Sequence, residues 1–333
     1  MKQFRFKRIL PFAMALLLLF TAGCGKVPAQ DKTDEVVPEA VNIGGEAEDT
    51  NTADVSHSSL YAVDGTTETS DNESYASDTA NVNTVLVEKL GVLTMTSADI
   101  NKTGDSAGDF SGGQNAAVAV LSKGQMTLNE SNITTNGIGA AGLVVSSEGT
   151  QLALNNTSVY TSGKSSPVLI VREDASAMIT AGTLSTEGED SACILLLGGR
   201  LTLSGVSLLS TGGDVLRVRS GDNFLTLDKT AISSMPALPE GATLVLRLQN
   251  GASFTGELGG SVPAKASVTL DATSKLTLTA ETYVAGFVNA DLTHANIQSN
   301  GFNLYYDSSV ADNAYLDGQS FVLPGGGFLA PII

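Results

Sequence analysis

From Leu60 onward the chain alternates apolar and polar residues in short runs, of which Leu201-Thr202-Leu203 and Leu225-Thr226-Leu227 are the plainest. Period-two alternation puts successive side chains on opposite sides of a strand, so these runs predict half-buried β-strands. Residues 123–147 hold one complete unit: a strand with Met126 and Leu128, a second reaching Ile133, a Gly-rich corner, and a third with Leu143 and Val145. Near-copies precede and follow it. The first core position recurs at Leu93, Met126, Leu152, Met178, Leu201 and Leu225, in steps of 33, 26, 26, 23 and 24 residues. The second recurs at Ile100, Ile133, Val159, Leu184, Leu208 and Ile232, and the third at Leu86, Val118, Leu143, Leu169, Ile194, Leu216 and Leu244. Three strands returning about every 25 residues predict a solenoid, each coil burying its aliphatic side chains against the coils above and below.

The corners after the second strand are alike: Thr135-Asn136-Gly137, Thr161-Ser162-Gly163, Thr186-Glu187-Gly188 and Thr211-Gly212-Gly213. Gly permits positive φ where a chain bends sharply. Like corners at like spacing stack, so successive strands should run parallel. Two excursions break the rhythm, residues 102–114 and residues 234–242, the latter with Pro236 and Pro239, and both are expected at corners. Beyond Gly251 the pattern persists in Leu276-Thr277-Leu278 and Asn296-Ile297. Residues 302–331 then bring six aromatics: Phe302, Tyr305, Tyr306, Tyr315, Phe321 and Phe328. Open sheet edges at the end of a parallel stack invite aggregation, so this aromatic tail is read as a C-terminal cap. The expectation is an all-β domain over residues 58–333, three strands per coil and about ten coils at roughly 4.8 Å each.

The residues before it follow another logic. Lys2, Arg5, Lys7 and Arg8 precede an apolar run, residues 11–20, of signal-peptide length and too short for a comfortable membrane span. The run ends in Thr21-Ala22-Gly23-Cys24, which resembles the bacterial lipobox, with Thr21 where Leu is more usual. That resemblance implies removal of residues 1–23, a lipid on Cys24, and an extracytoplasmic location anchored at the cell surface. The alternative is an ordinary secretory signal that leaves Cys24 free. Residues 24–57 carry eight acids (Asp31, Asp34, Glu35, Glu39, Glu46, Glu48, Asp49, Asp54) against Lys26 and Lys32, without periodicity, and are expected to be a disordered tether. The other cysteine, Cys193, lies in an apolar run and reads as a small core residue. Acids outnumber bases 35 to 18, a formal net charge of −17, which disfavours nucleic acid as a partner.

The repeat G-x-(L/M)-T-L-x-x-(S/T)-x-I-x-T-x-G, with Asn115-Ala116-Ala117-Val118 after Thr103-Gly104-Asp105, resembles the adhesin-like surface proteins of bacteria. Those have a pectate-lyase-like, right-handed parallel β-helix, and the likeness runs over about residues 60–331. It implies that fold. It implies an activity poorly, because β-helices serve lyases, hydrolases and adhesins alike.

A polysaccharide hydrolase needs two or three carboxylates converging on one outer face; a lyase needs acids to hold Ca²⁺ and an Arg or Lys base. The first strand instead turns Thr94, Thr127, Ala153, Thr202, Thr226 and Thr277 outward, and threonine is neither acid nor base. The corner acids Asp105, Asp109, Glu187, Glu189, Asp190 and Asp214 would either supply oxygen ligands to Ca²⁺ or form a solvated acidic rim. On the third strand, alternation turns Arg172, Arg217, Arg219 and Arg247 outward, so these four are expected to share one face. Their guanidiniums would grip a uronic-acid polymer or an acidic partner, or else pair with the corner acids and merely solubilise the sheet. The sequence thus points to a non-catalytic, adhesin-like binding module for polysaccharide, cell wall or a surface protein. A polysaccharide-active enzyme and a structural spacer are the alternatives. The absence of Trp speaks mildly against sugar stacking.

Overall fold

The alternating runs wind into a parallel β-solenoid of about 11 turns in the computed structural model, slightly more than the repeat suggested. It describes residues 57–332 apart from 107, 109–110 and 260–264; the apolar leader, Cys24 and tether residues 24–56 lie outside the described residues. Early coils use separate strands, as in Val92–Thr96, Asp99–Lys102 and Ala116–Val120. Later coils run two faces into one long bent strand, as in Leu169–Thr186. Inward side chains stack on the first face as Leu93, Met126, Leu152, Ala177, Leu201, Leu225 and Leu246. The second face stacks Ile100, Ile133, Val159, Leu184 and Leu208, and the third Val118, Leu143, Leu169, Ile194 and Leu216. These columns fill one continuous core.

Three expected core positions are corrected. Met178 points outward and Ala177 takes its place, because the corner from Arg172 to Ser176 is one residue shorter than the corner from Ser146 to Gln151 stacked on it; Glu173 and Asp174 there both adopt left-handed φ (53° and 59°). A one-residue slip in a period-two strand exchanges its two faces. Leu86 likewise points outward, and Val85 stands in the column with Val118. Leu244 belongs to the first face, opposite Asn223. Pro236 and Pro239 have no N–H to give to a ladder, so residues 233–241 pass the third face without forming a strand. Met235 and Leu238 still bury their side chains in the core. The second excursion therefore replaces a strand instead of inserting at a corner.

The third face is buried on both sides. Leu86, Ala119, Val144, Ile170 and Leu195 form an outward column one strand spacing apart, and all are buried in a second, smaller apolar cluster. The end of the first excursion folds over it. A Cβ on Gly113 would come within 3.3 Å of Leu121 and 3.4 Å of Val144. Asn83 Nδ2 donates to Gly113 O (2.8 Å), Arg172 Nη1 donates to Ser111 Oγ (3.3 Å), and the His57 ring meets Gly112 O at 3.0 Å.

Corners owe their regularity to close approach. Gly137, Gly163, Gly188 and Gly212 are absent from the positive-φ residues, contrary to the expectation from sharp bending. Each instead lies against the glycine one coil below: a Cβ on Gly163 would sit 1.9 Å from Gly137 O, and one on Gly188 1.9 Å from Gly163 O. Hydroxyls complete the stack, with Ser166 Oγ donating to Gly137 O (2.8 Å) and Ser191 Oγ to Gly163 O (3.0 Å). The corner between the first and second strands carries a column of left-handed residues, Ser97, Glu130, Asn156, Ala181, Lys229 and Asn250, with φ between 48° and 58°. At the C-terminal end, strand Phe328–Pro331 runs parallel to Leu304–Tyr306 and antiparallel to Phe321–Val322. Tyr306 is buried there and its hydroxyl donates to Gln319 O (2.8 Å).

Candidate functional site

The four arginines expected on one face are distributed over two. Arg217 continues the outward column of the third face, paired with Leu195, while Arg172 stands beside Leu197. Arg217 donates to Asp214 Oδ2 (2.8 Å) and Asp190 Oδ1 (2.9 Å). Although burial works against its charge, these two carboxylates raise its pKa overall. Arg172 is engaged by Glu173 (2.6 Å) and by the excursion through Ser111. Arg219 is exposed at a bulge, since Val218 pairs with Leu196 and Ser220 with Leu197. The third-face arginines Arg172 and Arg217 thus fasten corners and the covering segment.

Arg247 is elsewhere. Its strand, Ala242–Gln249, pairs with the first-face part of Leu216–Asp228, so Arg247 lies beside Thr226, in the column of Thr127, Ala153, Met178 and Thr202. The neighbouring column holds Ser176, Arg200, Phe224 and Val245. From Ser176 and Thr202 to Val245 and Arg247, these two columns line a shallow groove of about 310 Å³. The Arg200 guanidinium lies over the Phe224 ring, 4.0 Å from its centroid, an attraction between cation and ring face that holds an otherwise mobile side chain in place. Among the described residues neither Arg200 nor Arg247 makes an ion pair, in contrast to Arg172 and Arg217. The lining offers two guanidiniums, several hydroxyls and an apolar strip, which can bind anionic and polar groups but include no carboxylate.

The described acids proposed for Ca²⁺ have partners within the chain. Asp105 Oδ1 accepts the Ile138 N–H (2.8 Å), Glu187 Oε2 accepts the Tyr160 hydroxyl (3.0 Å), and Asp190 and Asp214 bind Arg217. Glu189 pairs with Lys164 at 3.0 Å. Asp109 lies outside the described residues. Among the described residues no group of three or more His, Cys, Asp or Glu side chains is placed to hold a metal ion.

Arg200 and Phe224 were missed by reasoning from sequence, although a signal existed. They are 24 residues apart, the same step as Leu201 to Leu225, so the repeat already placed them one above the other. Two buried groups outside the groove are structural. Cys193 donates to Leu184 O (3.2 Å), and burial pushes its thiol up to about 12. Lys102 occupies the corner column of Ser77 and Thr135, and its Nζ donates to Thr79 O (2.7 Å) while burial lowers its pKa. No protein-family model, curated protein or solved structure matches the chain.

Proposed function

We propose that the protein is a non-catalytic, adhesin-like binding module, anchored by a lipid on Cys24 outside the cytoplasm. In this reading its first face engages a polysaccharide, cell-wall material or another surface protein. The observation that carries it is the groove around Arg200, Phe224 and Arg247, where two guanidiniums stand without carboxylate partners among the described residues, on a chain of net charge −17. Unpaired positive charge in a negative field draws anionic ligands, and a regular solenoid lets weak contacts add along its length. The groove's donor set suits recognition rather than acid–base chemistry.

The test has two arms. Purified full-length protein is passed over immobilised cell-wall polysaccharides and surface-protein fractions, and the eluate is assayed for shortened or unsaturated sugar products. Retention without product supports the module; product formation would replace it with the polysaccharide-active alternative, and no retention at all would leave a spacer. Incorporation of labelled fatty acid, lost in Cys24→Ala, tests the anchor.

A further inference from the structure

Resting on that reading, we infer that the first-face groove docks an extended acidic segment of another protein, with the pattern acid–x–apolar–x–acid. Arg200 and Arg247 stand two coils apart along the axis and two residues apart along the strand. With strands about 4.8 Å apart and about 3.4 Å per residue, their α-carbons are separated by roughly 12 Å. An extended peptide spans about 13 Å over four residues, and its side chains i, i+2 and i+4 point the same way. Two acids at i and i+4 therefore meet the two arginines, and residue i+2 falls on the strip between them.

Phe224, half-buried, and Val245, 39% exposed, form the apolar part of that strip, beside the Thr226 hydroxyl. Arginine and aromatic residues together are a composition enriched at protein interfaces. A sugar ring is a poorer occupant, because the cation already covers a face of Phe224, the only aromatic in the groove. The ring also fixes Arg200, so little side-chain freedom is lost when a carboxylate binds. Arg217 shows the alternative fate of an arginine here: placed near Asp190 and Asp214, it is already neutralised.

The experiment uses full-length protein and a fluorescent peptide, Glu-Ser-Leu-Ser-Glu, followed by anisotropy at low salt. Binding is expected to weaken about tenfold in Arg200→Ser and in Arg247→Ser, and to vanish in the double variant. Arg219→Ser, at the third-face bulge, should change it less than twofold. The Gln-Ser-Leu-Ser-Gln and Glu-Ser-Ser-Ser-Glu peptides should each bind at least tenfold more weakly. Both arginines are exposed, so unchanged thermal melts will confirm that the variants fold. Undiminished binding by the double variant, or equal binding of the glutamine peptide, overturns the inference. If polygalacturonate binds in an arginine-dependent way and the peptide does not, the occupant is a glycan: the inference falls and the binding-module reading stands. If neither probe binds and nothing is retained in the broader screen, both fall together.

Discussion

At the scale of single residues, backbone contacts matter more here than side-chain chemistry. A methyl group on Gly163 has nowhere to go, since its carbon would overlap Gly137 O at 1.9 Å. Gly163→Ala is expected to cost at least about 3 kcal/mol in urea unfolding, as the clash is with main chain that three coils hold in place. Ala181 presents the converse case, a side chain in a left-handed corner (φ 58°) that glycine occupies freely at Gly205. Ala181→Gly should therefore stabilise by about 0.5–1 kcal/mol, measured in the same way, once glycine's greater unfolded-state freedom is subtracted. His294 is buried against Phe321 and Phe287, and burial lowers its pKa below 6.5. Its neutral form is the one that folds, so its contribution is complete above pH 6.5. Stability should fall as pH drops below that value, by at most about 1.4 kcal/mol per unit. His294→Phe would flatten that part of a stability–pH curve, unless the slope arises elsewhere.

At the scale of elements, the third face is the informative one, because local alternation misleads there. Ile170 alternates with Leu169 and Val171 as a solvent-facing residue would, yet it is buried among Val144 and Leu195. Ile170→Asp puts an unpaired charge into that layer and is expected to destabilise by about 3–5 kcal/mol. Leu209→Asp, at a position 56% exposed on the second face, should stay within about 0.5 kcal/mol by the same urea unfolding. Equal effects would mean that the outer cluster contributes nothing. The outward apolar column was legible as a repeat, Val144 to Ile170 to Leu195. Its burial was not, because the cover comes from residues 111–113, far away in sequence.

At the scale of the whole molecule, each coil contacts only its neighbours, so protection should depend on position along the axis. The first coil mixes polar groups into its bore beside Val63: the Tyr61 hydroxyl donates to Glu68, and Ser70 and Tyr75 share a hydrogen bond of 2.9 Å. The middle coils fill theirs with Leu, Ile and Val. Hydrogen exchange should accordingly be fastest in Ser59–Asp64 and Thr67–Asp71 and slowest in Gln151–Thr161 and Ile194–Ser204. Uniform protection from end to end would instead mark a single cooperative unit. Burial carries a matching expectation for Cys193: its thiol, held up to about 12, should resist thiol reagents in the native protein and react on denaturation.

The sequence by itself determined the solenoid. An apolar triplet of strands returning about every 25 residues cannot bury its faces except against its own copies. It also placed most columns correctly, since Leu152, Val159 and Leu169 each sit where the repeat put them. Only the tertiary structure decided which outward residues share a surface. Strand alternation has period two, so one residue fewer at the Glu173–Asp174 corner than in the coil before, or a proline segment at residues 233–241, exchanges inside for outside or moves a strand to another face. That is why Arg247 left the company of Arg217 and joined Arg200 and Phe224: the decision was made at corners, where apolar periodicity carries no signal.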